Sequence, residues 1–167
     1  MALPPLIGEH DLTIDERNRL LFPAVWRRAL EAEKAGNGDK AAGKEFVLMT
    51  GTNGKLWLYP QPAYEVLVGQ VQRFGIPTPE QQKLAMMVFA KATPIALDKQ
   101  NRLLIPEKSL RRTNTGKDVA VLGLGDHMEI WNREEWERYD EELTPQMGHI
   151  AAKVRQDELY EQSIKNG

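Results

Sequence analysis

A nine-residue segment occurs twice in this chain, so whatever it folds into must house the same charged turn at two places. Asp15-Glu16-Arg17-Asn18-Arg19-Leu20-Leu21-Phe22-Pro23 returns 83 residues later as Asp98-Lys99-Gln100-Asn101-Arg102-Leu103-Leu104-Ile105-Pro106, identical at six of nine positions. A second correspondence has an offset of 72: Leu56-Trp57-Leu58-Tyr59, followed by Tyr64, against Met128-Glu129-Ile130-Trp131, followed by Trp136. The 11-residue difference predicts an insertion in the first copy, within Glu31–Lys44. Two copies of one folding unit in 167 residues imply pseudo-symmetry.

The apolar pattern gives each copy the same order of elements. His10–Ile14 and Leu20–Phe22 are short β-type runs around the first turn, a hairpin-like arrangement. Pro23 suits the first turn of a helix over Ala24–Leu30. Glu31–Lys44, polar and rich in Gly and Ala, reads as a loop or a frayed helix end. Glu45–Thr50 and Lys55–Tyr59 flank Asn53-Gly54, a tight-hairpin signal. Ala63–Phe74 has helical spacing, and Thr78-Pro79 opens a linking helix that runs to about Ala92. Pro94–Leu97, Arg102–Ile105, a helix over Pro106–Thr113, and strands Asp118–Leu122 and His127–Trp131 repeat the cycle. Asn132 caps a helix over Arg133–Leu143. A final polar helix, Pro145–Ile164, has no counterpart in the first copy. The expected fold class is thus α+β and β-rich, with units at 1–77 and 78–143 and a helical tail at 144–167.

Each turn reads Asp-x-x-Asn-Arg. Asn18 and Asn101 tolerate positive φ better than any residue but glycine, and Asp15 and Asp98 can accept backbone N–H groups across the turn. Arg19 and Arg102 then project from a stiff element, suited to a guanine edge or a phosphate because the guanidinium fork is planar and bidentate. The competing reading is an Asp–Arg bridge that only holds the turn closed. Spacing alone leaves both standing.

Charge is compatible with a polyanionic partner despite a net charge of −2, with solvated helix faces of either sign as the competing reading. Over Asp98–Lys117 six bases face two acids, for a local +4, whereas Asp126–Leu143 carries eight acids against two bases, for −6. Partners respond to that local field rather than to the sum. Arg27, Arg28, Arg111 and Arg112 follow the turns and read either as phosphate contacts or as solvated helix charge.

Several chemistries find no footing. The chain has no cysteine, which removes disulfides, thiolate zinc sites and thiol nucleophiles. Gly38–Lys44 matches G-x-x-x-x-G-K, but Glu45 stands where the magnesium-binding hydroxyl belongs. His10, His127 and His149 lack metal-ligand spacing, and neither Ser109 nor Ser163 sits in a nucleophile elbow. Trp57, Tyr59, Trp131 and Trp136 are expected in the core. No enzymatic activity and no cofactor or metal are expected. Met1–Ile7 does not resemble a signal peptide and no run is long enough to span a bilayer, so a cytoplasmic protein without membrane or small-molecule partners is expected.

The turns at Asp15–Pro23 and Asp98–Pro106, together with Gly8-Glu9-His10, Leu56-Trp57-Leu58-Tyr59-Pro60, Ala96-Leu97 and Glu129-Ile130-Trp131 with Trp136, resemble the MraZ family over about Gly8 to Leu143. The resemblance implies AbrB-like swapped-hairpin β units with short flanking helices. It also implies a DNA-binding regulator of division and cell-wall genes, nucleoid-associated and assembled as a ring, that recognises short G-rich direct repeats. The family's turn usually reads Asp-x-Lys-Gly-Arg. By position, Arg19 and Arg102 become DNA-reading residues, Arg17 takes the Lys place, and Gln100 occupies it in the second copy with Lys99 one step earlier. Arg28 and Arg112 join them as phosphate-contact candidates. The alternative is a ring-forming assembly protein with weak or no DNA binding.

Overall fold

The computed structural model describes residues 3–35 and 43–165. In chain order the elements are β1 (Glu9–Thr13), β2 (Arg19–Leu21), α1 (Ala24–Ala35), β3 (Glu45–Thr50), β4 (Leu56–Pro60) and α2 (Gln61–Val71). Then come α3 (Pro79–Ala85), β5 (Thr93–Ala96), β6 (Arg102–Leu104), α4 (Glu107–Arg112), β7 (Asp118–Gly123), β8 (Met128–Asn132), α5 (Arg133–Leu143) and α6 (Met147–Lys165). The chain divides into two compact units, Met1–Arg133 and Glu134–Gly167. No described helix is long and apolar enough to cross a membrane.

The first unit is built by strand exchange. Its six-stranded antiparallel sheet has the order β1-β7-β8-β4-β3-β5. Exchanging the two copies turns this order into its own reverse, which puts a pseudo-twofold axis between β4 and β8. Each copy's first strand lies on the other copy's hairpin: β1 on β7, and β5 on β3. The exchange continues past the strand ends in matching bonds, Ile14 N–H to the Lys117 carbonyl and Leu97 N–H to the Lys44 carbonyl, both 2.8 Å. The fold is therefore α+β, with two pseudo-symmetric swapped-hairpin β units, short helices and a C-terminal helix.

This topology corrects the local reading of the runs beside each turn. β1 and β2 do not form a hairpin; β2 pairs with β6 in a separate two-stranded ribbon. A five-residue turn between short apolar runs is compatible with local pairing. Pairing with the other copy, however, lets one inner face be shared. Leu20, Phe22, Phe46, Leu58, Leu103, Ile105, Val119, Val121, Met128 and Ile130 all enter one buried cluster. Burying such side chains contributes roughly 1.5–3 kcal/mol each. Trp26 reaches the same cluster from α1 and donates its Nε1–H to the Ile7 carbonyl at 2.9 Å.

Element ends also locate the length difference between copies. Lys44 and Lys117 hold equivalent bonds, so ten of the eleven extra residues lie before β3: α1 is six residues longer than α4, and the connection to the next strand has nine residues against five. The eleventh lies in the β3–β4 turn, where five residues separate the strands against four between β7 and β8. Residues 36–42, which carry most of the Gly38–Lys44 motif, lie outside the described residues. In the longer turn Gly51 is obligatory for packing: a Cβ there would sit 2.0 Å from the Trp57 ring. Thr78 caps α3 reciprocally with Gln81, and Pro79 occupies its first turn. Pro23 and Pro106 stand one position before their helices rather than within the first turn; their carbonyls accept from Arg27 and Leu110.

Of the aromatic residues expected in the core, Tyr59 and Trp131 are buried, and Trp57 and Trp136 are half-buried. In the second unit, α5 carries Trp136 and Tyr139 with ring centroids 6.3 Å apart, and α6 is exposed throughout.

Candidate nucleic-acid interface

The two charged turns have one construction. Asp15 Oδ1 accepts the backbone N–H groups of Arg17 and Arg19, both at 2.9 Å. Asp15 N–H donates to the Arg19 carbonyl, and Asn18 N–H to the Asp15 carbonyl. Closing so short a loop forces Asn18 into the left-handed region, with φ of 59°. The second turn repeats every bond: Asp98 Oδ1 accepts from Gln100 at 2.8 Å and Arg102 at 3.0 Å, and Asn101 has φ of 58°. Backbone N–H donation by Arg19 and Arg102, more than their charges, holds the Asp15 and Asp98 carboxyls below the usual carboxylate range.

Strand pairing brings the turns together. β2 and β6 run antiparallel with Arg19 opposite Leu104, Leu20 opposite Leu103 and Leu21 opposite Arg102. Phe22 N–H donates to the Asn101 carbonyl at 2.9 Å, and Ile105 N–H to the Asn18 carbonyl at 2.8 Å. Each left-handed asparagine thus accepts from the chain leaving the other turn. Leu20 and Leu103 face the core, so alternation turns Arg19, Leu21, Arg102 and Leu104 outward.

Both arginines bridge to their aspartates, as the turn-closing reading anticipated. Arg19 Nε lies 2.8 Å from Asp15 Oδ2, and Arg102 Nε lies 2.9 Å from Asp98 Oδ2. The bond uses Nε in each case. Neither pair of terminal guanidinium nitrogens has a hydrogen bond to a described residue, and the two side chains remain 28% and 26% exposed. A bridge of this kind orients the fork and leaves its outer edge available for a second acceptor.

The other sequence candidates sort by exposure and partner. Arg17 and Lys99 are exposed within the turns, and Arg28 and Arg112 are exposed on α1 and α4. Arg27 and Arg111 are held by Glu31 and Glu107, one helical turn away. Lys117 was not singled out from sequence: its Nζ donates to Asn18 Oδ1 at 2.7 Å and to the Asp15 carbonyl at 3.2 Å. Lys44, its counterpart, makes no such bond to Asn101 among the described residues, so only the first turn is braced. The outward leucines Leu21 and Leu104 are exposed at 56% and 61%. Their signal was available in the alternation, since a residue two positions past an outward arginine faces outward too.

Two fused swapped-hairpin units that share one sheet and present paired arginine turns on a common ribbon define a pseudo-dimeric β module. A family model described as "MraZ protein" matches the chain twice, over residues 6–86 and 88–158. The chain belongs to the MraZ family. It is 29% identical over 135 residues to the Transcriptional regulator MraZ of Clostridium tetani, covering 81% of this chain and 87% of that one. Against proteins of the same name it is 30% identical over 145 residues in Leuconostoc citreum (87% and 93% covered) and over 131 residues in Herpetosiphon aurantiacus (78% and 83%).

Proposed function

We propose that this chain is a non-enzymatic transcriptional regulator that binds duplex DNA in a sequence-specific manner through Arg19 and Arg102. The observation that carries this reading is the β2–β6 ribbon, which presents both guanidinium groups outward from turns whose backbone is fixed by Asp15 and Asp98. The name carried by the relatives, transcriptional regulator, supports it. Arg17, Lys99, Arg28 and Arg112 contact phosphates around the ribbon and set affinity, not sequence. A single ribbon makes few base contacts, so several copies act together as a ring on short G-rich direct repeats about 10 bp apart, upstream of division and cell-wall genes. The protein works in the cytoplasm, at the nucleoid.

A mobility-shift assay on DNA upstream of the chain's own gene tests this. Arg19→Ala and Arg102→Ala each weaken binding by roughly 1–3 kcal/mol per guanine contact and relax sequence preference. Arg28→Ala weakens all sequences alike and reduces the salt slope by about one. Equal shifts for Arg19→Ala and wild type would remove Arg19 from base reading. Absence of binding to any duplex at low salt would favour a ring-forming assembly protein instead.

A further inference from the structure

The outward face of the β2–β6 ribbon is half basic and half apolar. Arg19 stands opposite the exposed Leu104, and Arg102 opposite the exposed Leu21, so each guanidinium has a leucine as its cross-strand neighbour. The pseudo-twofold axis makes the same pairing twice. Leucines in this setting do not serve the core, because the core side of the ribbon is filled by Leu20 and Leu103. They are also placed where any partner reaching the arginine forks must meet them.

We infer that Leu21 and Leu104 are specificity-determining residues that recognise the C5-methyl group of a thymine beside each guanine read by Arg102 and Arg19. This rests on the DNA-binding reading above. The major-groove edge offers guanine O6 and N7 as paired acceptors for a guanidinium, and the thymine methyl as its apolar group. An Arg–Leu pair matches that combination of chemistries. Side chains directly opposite on antiparallel strands have Cβ atoms about 4.5–5.5 Å apart. Successive base pairs rise by about 3.4 Å, so one pair of side chains reaches neighbouring base pairs rather than one. The ribbon therefore reads a guanine–thymine step at each of its two turns, and cytosine or adenine in the thymine place is disfavoured because a polar edge then faces leucine without a hydrogen-bond partner.

The first arm of the test changes only the DNA. A duplex bound by the full chain in an Arg19-dependent manner is resynthesised with deoxyuridine replacing each guanine-flanking thymine in turn, which removes one methyl and keeps every hydrogen bond. Wild-type binding falls about three- to fivefold at the recognised thymine, the effect of one lost methyl. Leu21→Ala and Leu104→Ala, exposed positions whose folding is checked by circular dichroism, bind weakly and each loses the thymine–uracil difference at its own site. If wild type tolerates uracil everywhere while Arg19→Ala still weakens binding, the leucine assignment is overturned and the DNA-binding reading stands. If wild type binds no duplex, both fail. A uracil penalty that persists in both leucine variants, or a shift in native mass in either, likewise overturns the assignment and makes the leucines contacts of another kind.

Discussion

The two left-handed asparagines offer an internal control on what shapes the turns. Asn18 and Asn101 have φ of 59° and 58° and identical backbone bonds, yet only Asn18 receives the Lys117 ammonium on its side chain. Alanine at either position lacks the local side-chain hydrogen bonding that offsets the Cβ conflict for asparagine in the left-handed region, a loss of about 1 kcal/mol at the low end of the usual range. Asn18→Ala loses in addition a solvent-exposed, charge-assisted hydrogen bond, about 0.5–1 kcal/mol. Asn101→Ala is therefore expected to destabilise by about 1 kcal/mol and Asn18→Ala by about 1.5–2. Glycine relieves the steric part at a small entropic cost, so Asn101→Gly is nearly neutral and Asn18→Gly retains only the lost bond. Urea unfolding followed by tryptophan fluorescence resolves these differences, and each kcal/mol moves the thermal midpoint about 2–4 °C. A cost for Asn101→Ala equal to or above that for Asn18→Ala would refute the bracing role of Lys117. An Asn101→Gly variant as unstable as Asn101→Ala would refute the φ argument.

Leu103 is fully buried at the centre of the shared cluster, and Leu103→Ala should cost roughly 2–5 kcal/mol in the same unfolding experiment. His127 packs against both the Trp57 and Tyr59 rings, with its Nδ1 on Asp126 at 2.6 Å and its Nε2 3.7 Å from the buried Glu129. Burial opposes its charge, but Glu129 and Asp126 outweigh burial and raise the imidazole pKa above 6.5. Its contribution is thus complete below about pH 6.5 and is lost as pH rises through the raised folded value. Burial also opposes the Glu129 charge, and the neighbouring His127 imidazole together with hydrogen bonds from Trp131 and Asn53 reverses that, so the Glu129 contribution is lost on the acid side, below 4.5. Tyr59, pushed up to about 12 by burial, stays neutral throughout. Unfolding free energy measured from pH 6 to 9 should decline for wild type and flatten in Glu129→Gln; an equal slope in both would refute the coupling.

Much of the turn was readable from residue type. Asp accepts across a loop and Asn tolerates positive φ, and both preferences are local, so Asp15, Asn18, Asp98 and Asn101 could be assigned without knowing the partners of any strand. Strand pairing was not local. His10–Thr13 has an apolar pattern that fits β2 or β7 equally well, and the choice is made by which arrangement lets Leu20 and Leu103 meet in one interior. The family resemblance implied the exchange; the spacing of residues did not. The Asp–Arg bridges were foreseen as one of two readings, but spacing could not tell which guanidinium nitrogen would be engaged, and that detail leaves the outer edges of the forks available. Lys117 was hidden for a related reason: 99 residues separate it from Asn18, and only the fold makes them neighbours. The extra residue in the Gly51–Lys55 turn was masked because its one-residue shift was absorbed into a larger insertion upstream.

The reciprocal loan of first strands has a consequence for synthesis on the ribosome. Thr13 cannot meet Asp118 until 105 further residues have been translated, about 5–20 s at ordinary elongation rates. During that interval the β3–β4 hairpin of the nascent first copy carries an unsatisfied sheet edge and an unsheltered apolar surface, and β1 has no partner strand. Completion of the whole module is therefore a late, concerted event, and a ribosome stalled before β7 would hold a chain prone to capture by chaperones or by another nascent copy.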